Sequence, residues 1–333
     1  MKSASTHGNE AAGPPCNPKN PPQPAAADGR IRRTHRECAY FRFGLRAGLL
    51  NAATSGFALG PKKTLGKITQ PINSYTRFPE YFYLCEAILA ATVRRATGPS
   101  TKVLDVGSPK CLGLYLAYHF PMEVHLTDIS PLNIDEYRLM WSPLQARAQG
   151  RAVFALADAR KLGYADASFD AVYSMSVVEH TEGPNADTES VREMLRVLKP
   201  GGTLAVSVPY GDRYVEQSVR GLAHASQRTQ GDSLHFFQRI YDKTSITERL
   251  LGPFRGCKEV TAVTVWRRAP RLHRAWSACG ENLRGVLGLL NPLLSLVANA
   301  SATGLSTVPE ASYSDVAREG DLYGDAVLVG TKR

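Results

Sequence analysis

Three predicted strands in the middle of the chain are each followed by residues that suit a nucleoside-containing ligand. The first strand leads into Gly107, the second into Asp128, and the third into Asp158 and Ala159. Ligands of parallel sheets bind beyond the carboxyl ends of the strands, where a glycine lets the backbone come close to them. A carboxylate about 20 residues after such a glycine suits hydrogen bonds to ribose hydroxyls. A carboxylate beside a backbone amide can bind the edge of an adenine.

Candidate catalytic residues follow the fourth and fifth predicted strands. Glu179 and His180 come after the fourth strand, and Tyr210 follows the fifth. The ordinary pKa of histidine, about 6.5, suits a general base. His235 is a weaker candidate. The alternative for Glu179 and His180 is a non-catalytic role, in which they orient a cofactor or brace the loop.

The elements that must position these residues follow from hydrophobic periodicity. Short apolar runs alternate with helical patterns between residues 101 and 210, which is typical of βαβ units and a parallel sheet. Strands are predicted at 102–106, 124–127, 152–156, 169–175 and 203–208, with later strands at 259–266 and 325–330. A helix is predicted to begin at residues 78–80. Another, capped by Asp187 or Thr188 and stopped by KPGG, precedes the fifth strand.

The order of these motifs resembles that of a known family. VLDVG, LTDIS, ADARKL, SFDAVYSMSVVEH and VLKPGG follow one another over residues 100–210. The succession is similar to the class I S-adenosylmethionine-dependent methyltransferases, in particular the small-molecule, ubiquinone-biosynthesis-like type. The resemblance implies a Rossmann-like, doubly wound α/β fold with a mostly parallel sheet of about seven strands, and S-adenosyl-L-methionine as cofactor. An NAD site is disfavoured because GSPKCLG lacks the G-x-G-x-x-G spacing.

The resemblance also implies which residues bind the cofactor. They are Asp105, Gly107 and Ser108 in the glycine loop, Asp128 and Ile129 after the second strand, Asp158 and Ala159 after the third, and Ser174 and Ser176 around the end of the fourth. The loop departs from the family pattern, because Pro109 and Cys111 stand where further glycines are usual. Proline has no amide hydrogen to donate, so we expect a differently shaped loop.

Composition divides the chain into a tail, a cap and a methyltransferase domain. Residues 1–29, rich in Pro and Ala, are predicted to be a disordered tail, because they cannot bury enough apolar surface. Residues 30–98 are predicted to form a basic helical cap. The methyltransferase domain is expected at 99–333, with its motif core at 100–210, a substrate-capping insertion at 211–256 and a basic, apolar insertion at 267–320 before the last strand. The uncharged stretch at 285–305 favours a buried, broken helix pair over a membrane-surface segment.

The net charge of +10 is concentrated in the basic segments that flank a mildly acidic centre. Such flanks indicate an acidic neighbour, for example an anionic membrane, nucleic acid or a phosphorylated substrate, or else a well-solvated surface. The six cysteines include no C-x-x-C pair, and no set of residues with metal-ligand spacing occurs. We therefore expect no metal site and a cytoplasmic protein, with peripheral contact at an anionic membrane as an open option.

The function expected from the sequence is methyl transfer from S-adenosyl-L-methionine to a small-molecule acceptor. The favoured acceptor atom is an oxygen on a secondary metabolite, a sugar or a lipid-linked compound. Two alternatives stay open. One is a non-catalytic or cofactor-sensing protein with this fold. The other, less favoured, is a nucleic-acid methyltransferase, because the chain has no recognisable nucleic-acid-binding module.

Overall fold

The computed structural model describes residues 26–55, 77–93, 101–109, 111–211, 213–220, 234–267, 306–308 and 324–333, with Leu287 and Leu290. Residues 1–25 of the predicted tail lie outside the described residues, as does nearly all of the predicted insertion at 267–320, including the uncharged stretch at 285–305 apart from Leu287 and Leu290. Residues 26–29 belong to a helix, so the predicted tail extends too far at its carboxyl end.

A mostly parallel sheet organises the described part of the chain. The strands are β1 (Lys102–Val106), β2 (Glu123–Asp128), β3 (Arg151–Leu156), β4 (Phe169–Met175), β5 (Leu198–Tyr210), β6 (Val215–Arg220), β7 (Leu234–Ile240), β8 (Cys257–Arg267), β9 (Ser306–Val308) and β10 (Gly324–Lys332). Eight of them form one sheet in the order β3-β2-β1-β4-β5-β10-β8-β9. β1 to β5 run parallel, and β10 is antiparallel to β5 and β8.

This topology confirms the predicted α/β fold, with one strand more than the expected count of about seven. The chain leaves β1 for β2 and β3 and then returns to β4 on the other side of β1. Such a reversal opens a crevice at the carboxyl ends of the strands, where α/β sheets bind their ligands. The candidate residues after β1, β2, β3 and β4 therefore lie along this one edge.

Helices cover both faces of the sheet. They are α1 (Ala26–Ser55), α2 (Arg77–Val93), α3 (Cys111–His119), α4 (Pro131–Trp141) and α5 (Ala186–Val197). Residues of α1 to α4 share one buried apolar cluster with one face of the sheet. Residues of α5 and of the short helical segment Ile246–Leu250 share another with the opposite face.

The two helices predicted in detail have different outcomes. α2 begins one residue before the predicted start, and its apolar stripe of Tyr81, Leu84 and Ile88 is buried as its helical spacing predicts. The cap predicted for α5 is wrong, because the residue before its first turn is Asn185 and not Asp187 or Thr188. The Asp187 carboxylate is instead fully buried in contacts with a distant part of the chain, which helix-capping rules cannot foresee.

The predicted substrate-capping insertion contains a two-stranded antiparallel sheet. β6 pairs with β7, and the hairpin returns to the carboxyl end of β5 through two backbone hydrogen bonds. Gly211 N donates to Tyr241 O at 2.7 Å, and Tyr241 N donates to Pro209 O at 3.0 Å. These bonds hold the hairpin at the edge of the sheet where the candidate site lies.

Candidate active site

The loop after β1 requires a glycine at position 107. Gly107 has a φ of +69°, a left-handed conformation that costs an L-residue about 1–2 kcal/mol. A Cβ at this position would lie 2.6 Å from Cγ1 of Val177, which follows β4. The Gly107 amide donates to Thr127 O at 2.9 Å. The glycine thus lets three strand ends approach one another at the edge.

Asp105 and Ser108 brace this loop from inside. Both are buried, and Asp105 Oδ1 accepts the Ser108 amide at 3.0 Å. Asp105 Oδ2 accepts the Tyr173 hydroxyl at 2.5 Å, and Ser108 Oγ accepts the Met175 amide at 2.8 Å. Burial and the adjacent Asp105 raise the pKa of Tyr173 well above its ordinary value. Asp105 and Ser108 therefore fix the shape of the loop through hydrogen bonds to β4.

Cys111 occupies a position where the family pattern has a glycine. Its side chain is buried, and burial raises the pKa of its thiol to about 12, although a hydrogen bond with Tyr40 of α1 partly offsets the rise. A thiol with this pKa is protonated and unreactive at neutral pH. Cys111 therefore joins α1 to the first turn of α3.

The acid after β2 lies where the sequence predicts it. Asp128 is almost buried. Its Oδ1 accepts the Ser130 amide at 2.9 Å, and its Oδ2 accepts Nδ2 of Asn133 at 3.3 Å. A carboxylate can accept about four hydrogen bonds, so two bonds that fix its orientation are compatible with further donors. The next side chain, Ile129, is 67% exposed and offers an apolar surface beside the carboxylate.

The residues after β3 lie next to Asp128, because Ala157 N donates to Asp128 O at 3.0 Å. Arg160 binds the carboxylate of Asp158. Nε and Nη2 of Arg160 donate to the two carboxylate oxygens at 3.0 and 2.6 Å. These bonds lower the pKa of the Asp158 carboxyl below its ordinary value. Ala159 is half-buried, and its amide donates no hydrogen bond within the described part of the chain.

The carboxyl ends of β4 and β5 enclose a buried carboxylate that the sequence did not reveal as a site residue. Glu80 of α2 is fully buried, and its Oε2 accepts the hydroxyls of Ser176 at 3.0 Å and Ser207 at 3.2 Å. Ser176 has a φ of +48°, and its amide donates to Ser207 O at 3.0 Å. The hydroxyl of Ser174 donates to Val106 O at 3.0 Å. The only sequence signal of Glu80 is its place in the first turn of a predicted helix.

Glu179 and His180 lie in a short 3-10 turn after β4. Glu179 is 1% exposed, whereas the His180 side chain is 20% exposed. His180 Nδ1 is 2.7 Å from the backbone oxygen of Phe237 in β7, and its Nε2 is 3.7 Å from Glu179 Oε1. Of these two candidate catalytic side chains, the structure makes His180 the accessible one.

Tyr210 lies on a different side of the edge from Glu80. It shares the apolar cluster on the α5 face of the sheet with Val206 and Val208, and it is 8% exposed. Burial, together with the nearby Asp242, raises the pKa of Tyr210 above its ordinary value. The phenol is therefore neutral over the physiological range. His235, the weaker candidate, lies half-buried in β7.

Arginines that the sequence analysis did not identify bind the loop that follows His180. Arg239 donates to Thr181 O and Gly183 O, Arg160 to Glu182 O, and Arg249 to Pro184 O. Four consecutive carbonyls of the loop thus accept bonds from three guanidinium groups. Two of these arginines come from the 211–256 segment, about sixty residues further along the chain, and local motifs do not record such contacts.

Comparison with known proteins adds a family match over the motif core. Residues 104–206 match a family described as a methyltransferase domain, which confirms the resemblance predicted from the motifs. Methyltransferase GfsG from Streptomyces halstedii is 40% identical over 78 residues, which cover 22% of this chain and 27% of that protein. The 27-O-demethylrifamycin SV methyltransferase of Amycolatopsis mediterranei is 37% identical over 86 residues, which cover 26% of this chain and 29% of that protein. The alignments thus span less than a third of these relatives.

Solved structures are similar at lower identity. An S-adenosylmethionine-dependent methyltransferase from Methanosarcina mazei has a TM-score of 0.43 and 17% identity, and it covers 72% of this chain and 96% of its own. The [4+2]-cyclase SpnF has a TM-score of 0.41 and 19% identity, and it covers 74% of this chain and 80% of its own.

Proposed function

We propose that this chain, whose residues 104–206 form a class I S-adenosylmethionine-dependent methyltransferase domain, methylates small molecules. The acceptor atom on this proposal is an oxygen of a secondary metabolite, a sugar or a lipid-linked compound. The observation that carries the choice of oxygen is the bond between His180 Nδ1 and Phe237 O at 2.7 Å. A backbone carbonyl only accepts hydrogen bonds, so the neutral imidazole keeps its lone pair on Nε2.

The residues after β2 and β3 fit the adenosine part of the cofactor. Asp128 has the capacity to accept ribose hydroxyls, and Ile129 offers an apolar surface to a planar ring. The Ala159 amide supplies a donor and the Asp158 carboxylate an acceptor for an adenine edge. When bound, S-adenosylmethionine supplies an electrophilic methyl group. The protein has to align the acceptor with it and to exclude water.

His180 acts in this proposal as the general base. Its Nε2 accepts the proton that the acceptor hydroxyl loses, and the imidazolium later returns this proton to solvent. A base of this kind contributes about 10²–10⁴-fold to a rate. The Glu179 carboxylate, 3.7 Å from Nε2, favours the protonated imidazole that this step produces. Glu179 serves as a positioning residue, because its side chain is almost completely buried.

The names of the relatives support a small-molecule acceptor. They do not agree on the acceptor atom, so the choice of oxygen rests on His180. The Amycolatopsis protein is named for an oxygen position of rifamycin. Phosphoethanolamine N-methyltransferase 2 from Caenorhabditis elegans, 29% identical over 132 residues, is named for a nitrogen. A hydroxyl must lose its proton during transfer, and the neutral imidazole of His180 supports the proposal that it accepts this proton.

Calorimetric titration with S-adenosylhomocysteine tests the cofactor site. We expect the wild type to bind and Asp128→Ala to lose at least tenfold in affinity, about 1.4 kcal/mol, since the carboxylate and its bonded turn are removed together. Asp135→Ala is the matched control, because Asp135 is an exposed acid on α4 that pairs with Arg138. A folded wild type that does not bind would overturn the enzyme proposal and favour the non-catalytic alternative.

The acceptor atom is tested by methyl transfer from labelled S-adenosylmethionine to a panel of matched alcohols, phenols and amines. We expect label in methyl ethers, and we expect His180→Gln to abolish that transfer while still binding S-adenosylhomocysteine. Label found only in methylated amines, or ether formation that survives His180→Gln, would contradict the oxygen proposal.

Peripheral contact with an anionic membrane is a separate proposal about partners. It is supported by Arg42 and Arg46, which are exposed one turn apart on α1, and by Leu49 on the following turn, which is 50% exposed. Within the described residues, no helix has the length and hydropathy needed to span a bilayer. In flotation with phosphatidylserine vesicles at low salt, the wild type should rise with the vesicles. The Arg42→Ser, Arg46→Ser double variant should stay at the bottom of the gradient. Equal flotation of both would contradict this contact.

A further inference from the structure

One strand of the capping hairpin contacts His180 and also the backbone immediately after it. Phe237, in β7, accepts a hydrogen bond from His180 Nδ1, and the two rings pack with their centroids 5.2 Å apart. Arg239, two residues further along β7, donates to Thr181 O at 2.6 Å and also to Gly183 O. A single strand, distant in sequence, therefore determines both the orientation of the imidazole and the path of the chain that carries it.

Arg239 is built into the structure as an internal bridge. It is 1% exposed, and its guanidinium lies 4.7 Å from the centre of the Phe236 ring. Its Nε is 3.3 Å from Oε1 of Glu216 in β6. A guanidinium is a planar fork that can bond two acceptors at fixed positions, and here it spans two carbonyls that belong to one turn. The carboxylates of Glu216 and of Asp187, whose Oδ2 is 3.9 Å from Nε, offset the buried charge, although Nε itself makes no hydrogen bond within the described residues.

These contacts bear directly on the chemistry of His180. The proton position of a neutral imidazole is set by the hydrogen bond that its other nitrogen makes. If the loop shifted, Nδ1 would leave the Phe237 carbonyl, and the lone pair would no longer be confined to Nε2. Thr181 and Gly183 follow His180 by one and three residues, so their carbonyls anchor the turn on which the imidazole stands.

We propose that Arg239 is a positioning residue: together with the Phe237 carbonyl it holds His180 as the Nδ1-protonated tautomer, so that the capping hairpin prepares the base. The inference rests on the proposed function in so far as His180 is the base. It adds that the hairpin has a role in the chemical step besides covering the acceptor. The hairpin thus becomes part of the catalytic apparatus without touching the reacting atoms.

Arg249 provides a matched control from the same insertion. It bonds the same loop at Pro184 O, at 2.6 Å, and it binds Asp187 through Nε and Nη2, each at 2.8 Å. It contacts neither of the two carbonyls that Arg239 holds. Arg249→Met therefore removes a loop-bound arginine while the bonds nearest His180 remain.

The experiment is a long-range proton–nitrogen correlation spectrum of the histidine rings in the wild-type chain, recorded where His180 is neutral. The chain has eight histidines, and the signals of His180 are assigned by their loss in His180→Gln. We expect the Nδ1-protonated pattern in the wild type and in Arg249→Met. We expect Arg239→Met to lose that pattern, with averaging between the two tautomers.

A second variant guards against misfolding of the first. Arg239→Lys keeps the buried charge but has no planar fork, and we expect it to lose the pattern as well. Retention of the Nδ1-protonated pattern in both Arg239 variants would overturn the proposal. Its loss in Arg249→Met to the same degree would also overturn it, since the effect would then follow from general loosening of the loop.

Titration of the same variants with S-adenosylhomocysteine separates this inference from the proposed function. We expect the Arg239 variants to bind within about twofold of the wild type, because the adenosine residues after β2 and β3 are unchanged. A wild type that shows the predicted tautomer but no binding would overturn the proposed function and leave the positioning role intact. Binding by a wild type that lacks the tautomer would overturn the positioning role and the choice of oxygen as acceptor atom, and it would leave the cofactor site intact.

Discussion

The edge of the sheet at the carboxyl ends of the strands has two halves. They differ in the sequence separation between the residues that contact one another. In the half where we propose that the cofactor binds, here called the cofactor half, Asp128 bonds the amide two residues on, and Asp158 bonds a side chain two residues on. In the cap half, His180 bonds a carbonyl 57 residues away, and Asp187 bonds an arginine 62 residues away. The acids after β2 and β3 are thus held by local turns. The loop after β1 is bonded to β4, and the cap half depends throughout on segments that are distant in sequence.

This difference predicts different consequences of substitution. Residues of the cap half satisfy one another's buried charges, so removing one of them leaves its partners buried and unpaired. Asp128 and Asp158 of the cofactor half are bonded to residues nearby in sequence, so their loss should affect ligand binding more than folding. The backbone at Gly107 is an exception within the cofactor half. A side chain at this position should affect folding, because its Cβ would be too close to Val177.

The largest expected effect is that of Asp187→Ala in the cap half. The Asp187 carboxylate is fully buried, and it accepts bonds from Arg249 and from the Tyr241 hydroxyl at 2.9 Å. Breaking a buried pair by removing one partner costs about 3–5 kcal/mol, and urea unfolding should show a loss of this size. Asp166→Ala is the control, because its side chain is 79% exposed and exposed pairs contribute less than about 1 kcal/mol. Equal losses in the two variants would erase the contrast between the halves.

The next effect is that of Gly107→Ala, at the crowded position of the cofactor half. The left-handed φ costs about 1–2 kcal/mol, and the contact of the new Cβ with Val177 Cγ1 adds an overpacking cost, so we expect a loss of about 2–4 kcal/mol. Adding Val177→Ala should restore the steric part and leave the backbone part. A double-mutant cycle with no coupling between the two positions would show that Val177 does not limit the space at Gly107.

The sequence separation between contacting residues also explains which features the sequence could predict. β1 and β4 have their predicted bounds, and Gly107, Asp128 and Asp158 lie at one edge as expected, because strand ends and nearby turns follow from local pattern. The role of Glu80 could not be read, since its partners are Ser176 and Ser207, about a hundred residues further along the chain.

The wrong cap assignment for α5 has the same cause. An acidic residue at the start of a helix normally favours capping, and Asp187 meets that local condition. Its carboxylate is bound instead by Arg249 and Tyr241, which the fold brings from the 211–256 segment. Local rules therefore fail in the half of the edge where charges are buried by long-range contacts. They succeed where a turn satisfies its own polar groups.

The smallest expected effect is a change in the acid titration of Asp158, which tests whether the cofactor half is local. The hydrogen bonds from Arg160 hold the pKa of this carboxyl below its ordinary value. Since the folded pKa lies below the unfolded one, the pair stabilises the fold above about pH 4 and loses that contribution as the pH falls through the folded pKa. The Asp158 side chain is 33% exposed, so solvent screening keeps the contribution below about 1 kcal/mol.

Carbon-detected titration of the Asp158 carboxyl, assigned with Asp158→Asn, measures this effect directly. The midpoint should rise toward the ordinary value in Arg160→Gln and stay unchanged in Arg196→Gln, because Arg196 bonds Glu193 and Asp166 instead. It should also stay unchanged in Asp187→Ala if the cofactor half is independent of the cap. Arg160 has one contact with the cap loop, Nη1 to Glu182 O at 3.4 Å, whose length marks it as weak. A midpoint that moves in Asp187→Ala would show that this contact couples the halves, and that the cap influences the proposed cofactor site as well as the proposed base.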